Sequence, residues 1–101
     1  MELQLIVDGK EKIFTTPFVS ARHFRKLMEF DEKIDYMDLR VDDIDELAGF
    51  VCDVFGNQFT VDEFIDGVAS HELIPTITKV FSFVRTGKVP KEEELGNEQG
   101  K

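Results

Sequence analysis

The dipeptide Asp8-Gly9 is the strongest constraint on what this chain can fold into. Before it, Leu3, Leu5 and Val7 alternate with polar or less buried positions. Asp-Gly readily takes the left-handed conformation of a two-residue hairpin turn. The spacing therefore predicts a hairpin over Leu3 to Phe18. Its return strand runs from about Lys12 to Thr16, and Pro17 limits pairing beyond it. Ile6, Ile13 and Phe14 put apolar groups on both faces, so the pairing register stays open. A lone hairpin is marginal in water, so the rest of the chain must supply something to pack on it.

That something reads as four helices. Ser20 is a good N-cap for a first helix over roughly Ala21 to Ile34, with Phe24, Leu27, Met28 and Ile34 as its buried stripe. Asp35 to Arg40 reads as a connector. A second helix starts near Asp42 and ends before Gly56, with Ile44, Leu47, Ala48, Val51, Cys52 and Phe55 on one face. Thr60 and Glu63 form a capping box for a short third helix from Val61, burying Phe64, Ile65 and Val68. Pro75 marks the first turn of a fourth, which Gly87 ends. Its stripe is Leu73, Ile74, Ile77, Val80, Phe81 and Val84. The expected fold class is α+β, mainly α: an N-terminal β-hairpin packed on four helices, then a disordered C-terminal tail. One globular domain is expected over residues 1–87, and residues 88–101, with Glu92, Glu93 and Glu94 in a run, read as a flexible acidic tail.

The formal net charge of −9 repels a phosphate backbone and disfavours anionic membrane surfaces. The single cysteine, Cys52, allows no intrachain disulfide. No signal peptide or membrane-spanning stretch is apparent, so a soluble intracellular protein is expected. Metal and catalytic readings fail on the residues. An EF-hand loop from Asp62 would place Phe64 and Leu73 at ligand positions. Zinc would have only Cys52, His23 and His71 to draw on, with no tight pair. Cys52 falls on an apolar stripe, where a small core residue is expected rather than a nucleophile. There is no Gly-rich phosphate loop, and the acidic start of the second helix suits the helix dipole. Neither an enzyme, a cofactor nor a metal is expected.

What remains points at protein surface. The chain has ten Phe, one Tyr and no Trp, and Phe carries no polar handle, so these rings call for a core or a partner. Phe30, Phe50 and Phe83 project about 100–120° from the stripe centres of their helices. Either neighbouring elements cover them or at least one belongs to an exposed patch; they are the candidate partner-binding residues.

The order of features resembles the tail assembly chaperones of long-tailed phages and prophages of Gram-positive bacteria. The matching pieces are Leu3-Gln4-Leu5-Ile6-Val7-Asp8-Gly9-Lys10 with Phe14, Pro17-Phe18-Val19-Ser20-Ala21-Arg22, Val54-Phe55-Gly56-Asn57-Gln58-Phe59-Thr60 with Asp62-Glu63-Phe64, and Glu72-Leu73-Ile74-Pro75. The resemblance implies a non-enzymatic protein of the host bacterial cytoplasm, absent from the mature virion. It implies binding to the tape-measure protein, which is kept soluble, and help in recruiting tail-tube subunits. It also allows the tail-tube protein, a frameshifted longer form and a second copy as partners, with no nucleic acid and no membrane. The alternative reading is an acidic inhibitor or DNA mimic that blocks a basic site on another protein.

Overall fold

The computed structural model describes residues 1–89. Strand β1 (Glu2–Val7) pairs antiparallel with β2 (Lys10–Thr15), from Val7 opposite Lys10 to Glu2 opposite Thr15. Asp8 and Gly9 both take positive φ, 54° and 76°, as the turn reading requires. This settles the register. Leu3, Leu5 and Val7 face inward and are buried, while Ile6 and Ile13 face solvent. Of β2, only Phe14 packs on the core.

Helix α1 spans Ala21–Lys33, α2 Val41–Val54, α3 Val61–Gly67 and α4 Leu73–Thr86, the last preceded by a short 3-10 turn at Ser70–Glu72. The expected hairpin-plus-four-helix α+β architecture is the one observed. The local start and stop signals work as expected. The Ser20 hydroxyl accepts from the Arg22 amide, and Thr60 and Glu63 exchange side-chain-to-backbone bonds of 2.9 and 3.1 Å. Gly87 closes α4 in the left-handed conformation. The expected tail falls, from residue 90 on, outside the described residues.

The stripes shift where tertiary contacts decide. On α1 the buried residues are Leu27 and Phe30, with Ile34 just beyond the helix, whereas Phe24 and Met28 are exposed. Both sets have helical spacing, and α2 and α4 pack from the Phe30 side. On α4, Thr76 is buried with Ile77 and Val80, while Ile74 turns outward. Helix α2 buries Leu47, Ala48, Phe50, Val51, Cys52 and Val54, which is more than one face. It contacts both α3 and α4, so it runs through the middle of the molecule and its off-stripe side is covered as well.

Gly67, the last residue of α3, lies directly on β1. A Cβ there would stand 2.8 Å from the Ile6 carbonyl oxygen and 3.1 Å from Leu5 Cβ. Only glycine lets α3 approach the strand this closely.

Candidate functional site

A row of aromatic rings crosses the helical layer. Tyr36, Phe81, Phe50 and Phe30 follow one another with centroid separations of 5.9, 5.6 and 5.4 Å, each pair edge to face. This is the arrangement that ring quadrupoles favour. Phe30 and Phe50 are 3% and 4% exposed, so packing covers most of both rings, although both line a shallow surface groove of about 380 Å³ with Lys26, Lys33, Glu46, Gly49 and Asp53. The ammonium groups of Lys26 and Lys33 lie 5.2 and 5.8 Å from the Phe30 centroid, capping the end of the row away from Tyr36. Phe83 is half-buried on the far flank of α4 from Phe81 and does not join the row.

The outer end of the row is held by one carboxylate. Asp31 Oδ1 accepts from Tyr36 Oη and from Arg85 Nη2, both at 2.8 Å. The Arg85 guanidinium holds the Asp31 carboxyl below the usual carboxylate range. Burial, and next the bond to Asp31, push the Tyr36 phenol up, so it stays a neutral donor. Asp31 thus pins the connector after α1 against the C-terminal half of α4.

Between that connector and α4 lies an open groove of about 300 Å³, floored by Leu47, Ile77 and Phe81 and rimmed by Tyr36, Leu39 and Ile74. Ile74 is 45% exposed, and Met37, which follows Tyr36 on the connector, is 94% exposed. The groove is largely apolar with a fixed charged pair at one end. It can take the apolar side chains of a partner helix in the manner of helix-in-groove recognition. Periodicity misses it because helical spacing assigns Ile74 and Phe81 to the inward stripe. Two apolar residues on one flank, rather than a single outlier, are the signal that could have found it.

The string Phe55-Gly56-Asn57-Gln58-Phe59 serves a different purpose. Gly56 and Asn57 both take positive φ, 69° and 59°, which turns the chain sharply after α2. Gln58 Nε2 donates to the Thr15 and Phe55 carbonyls at 2.8 and 2.7 Å. The Phe59 ring then sits 4.9 Å from Phe14, 5.5 Å from Phe55 and 6.1 Å from Phe64. The string is a joint tying hairpin, α2 and α3 together, and it contributes nothing to the groove.

Cys52 is buried, and burial pushes its thiol up to about 11. Among the described residues no three His, Cys, Asp or Glu side chains gather closely enough to hold a metal ion. At the acidic start of α2, the Asp43 carboxylate caps the Arg40 amide at 3.0 Å, and Glu46 pairs with Lys33 at 2.6 Å. Two of these carboxylates are therefore engaged within the fold. No helix of the described residues is long and apolar enough to cross a membrane.

Of the comparisons with known proteins, the one with family models bears out the phage tail chaperone part of the resemblance. No curated protein and no solved structure matches the chain significantly. The family model described as phage tail chaperone protein matches residues 1–101. The match covers the whole sequence, and the chain belongs to the phage tail chaperone proteins.

Proposed function

We propose that this chain binds the tape-measure protein during phage tail assembly, keeps it soluble and aids recruitment of tail-tube subunits around it. It does so in the host cytoplasm without catalysis and leaves before the virion is complete. The observation that carries the reading is the apolar groove between α4 and the connector after α1, with Ile74 on its rim in solvent and Met37 exposed on the same connector. A long helical protein carries apolar stripes that aggregate when bare, and a groove of this kind covers them. The net charge of −9 keeps the resulting complex dispersed. Phe83 is a second contact in this proposal, while Phe30 and Phe50 act from below by holding the groove's aromatic floor in place.

The test is co-expression with the tape-measure protein followed by affinity purification of this chain. Ile74→Glu and Met37→Glu, both at exposed positions, are expected to leave folding intact and abolish co-purification. Undiminished co-purification with both variants would move the contact elsewhere. A tape-measure protein that stays insoluble beside well-expressed wild type would refute the reading itself.

A further inference from the structure

The two edges of the hairpin are treated differently. In an antiparallel ladder, alternate residues point both backbone groups at the partner strand and those between point them away. The two-residue turn and the Thr16 amide's bond to the Met1 carbonyl (2.9 Å) put Leu3, Leu5 and Val7 in the first class. Glu2, Gln4 and Ile6 therefore direct N–H and C=O to the outer edge of β1. Gly67 closes off Ile6, its Cβ position lying 2.8 Å from the Ile6 oxygen and 3.2 Å from its nitrogen. The outward groups of Glu2 and Gln4 meet no backbone partner among the described residues.

The β2 edge, by contrast, is guarded. Its Thr15 carbonyl accepts from Gln58, and Lys10, Glu11 and Lys12 crowd the strand with charge. Such devices discourage strand addition. Along β1 the edge instead opens into a groove of about 460 Å³, whose far wall is Val68, Ala69, Glu72 and Thr76. Two residues' worth of unpaired donors and acceptors specify an extended backbone as what completes this edge.

We propose that the β1 edge is an interface to a second copy of this chain, formed by antiparallel pairing of β1 with its symmetry mate about Leu3. This goes beyond the tape-measure reading and does not depend on it. The edge selects the register. Pairing about Leu3 sets Glu2 opposite the partner's Gln4 twice over, so all four free backbone groups on each strand segment are matched by four hydrogen bonds. Leu3 meets the partner's Leu3 on the inner face, extending the core across the two-fold axis. Pairing about Gln4 would require the Ile6 groups that Gly67 already covers. Pairing about Glu2 would set like charges face to face. In the selected register the Glu2 and Gln4 side chains share the solvent face, where they can be changed without touching the core.

The test is sedimentation velocity on the full chain over about 1 µM to 1 mM, beside three variants of Gln4. Wild type is expected to reach twice its 11.6 kDa mass. Gln4→Pro removes an N–H that points away from β2, so it is expected to be monomeric with the wild-type circular dichroism spectrum. Gln4→Lys, opposite Glu2, is expected to tighten the dimer, and Gln4→Glu to weaken it, by up to about tenfold each. These two variants keep the backbone donor, so they decide the matter even if the proline variant fails to fold. A wild type that stays monomeric throughout overturns the proposal, as does a folded Gln4→Pro that dimerises like wild type. Equal dimerisation of the Lys and Glu variants overturns it too.

Discussion

Arg85 donates from Nη2 to Asp31 Oδ1 at 2.8 Å, bridging 54 residues of sequence and tying α4 to α1. Because Tyr36 bonds the same oxygen, this pair sets where the connector lies and hence the width of the apolar groove.

Removing that carboxylate should cost stability in a pH-dependent way. Both side chains are more than a third exposed, at 38% and 35%, so the pair contributes at most about 1 kcal/mol. The folded-state pKa of Asp31 is lowered, so its contribution is fully present above the unfolded value of about 3.9. It is lost as the pH falls through the lower folded-state value. Thermal melts of wild type and Asp31→Asn are expected to differ by a few degrees at pH 7 and to converge at acid pH, once Asp31 is protonated in the folded state as well.

Two glycines should respond oppositely to the same change. Gly67→Ala drives a methyl group into the Ile6 backbone and is expected to lose about 1–3 kcal/mol in urea unfolding. Gly49→Ala, inside α2 with nothing within 4 Å of its Cβ position, is expected to gain about 0.5–1 kcal/mol from helix propensity. Equal effects would mean that α3 does not press on β1.

Phenylalanines that look alike in sequence should separate sharply. Phe50→Ala removes the ring between Phe30 and Phe81 and is expected to cost about 3–5 kcal/mol. Phe24→Ala, at an exposed position on α1, is expected to stay within about 0.5 kcal/mol of wild type. Chemical denaturation of both variants checks the corrected face of α1 together with the burial of Phe50.

Cys52 should be inert in the folded protein. With its thiol at about 11, roughly one part in a thousand is thiolate at pH 8. Its burial denies reagent access besides. A thiol-reactive dye is expected to label it only slowly without denaturant and rapidly in denaturant. Prompt stoichiometric labelling of native protein would contradict the packing of α2.

Features carried by a few adjacent residues are legible in the sequence. Asp8-Gly9 makes the turn, Thr60 with Glu63 makes the cap, and Gly87 closes α4, because each rests on local backbone geometry and a bond spanning a few residues. The faces of α1 and α4 are not legible there. On α1, apolar residues at 24, 27, 28, 30 and 34 cover so much of the circumference that two stripes satisfy helical spacing equally well.

By itself, then, the sequence determined the order of the strands and α-helices and most of their ends, and the family to which the chain belongs; β2 starts two residues earlier than expected, and the 3-10 turn at Ser70–Glu72 carried no local signal. Tertiary structure decided which apolar side chains those elements bury. Helix α2 runs through the middle and needs cover on several sides, so Phe30 of α1 turns inward to meet it and its own Phe50 is buried there. Ile74, Met28 and Phe24 are left to solvent, and a groove opens beside Ile74 where no described element of the chain closes it. Burial is a property of which surfaces meet, and partners far apart in the chain leave no mark on local periodicity.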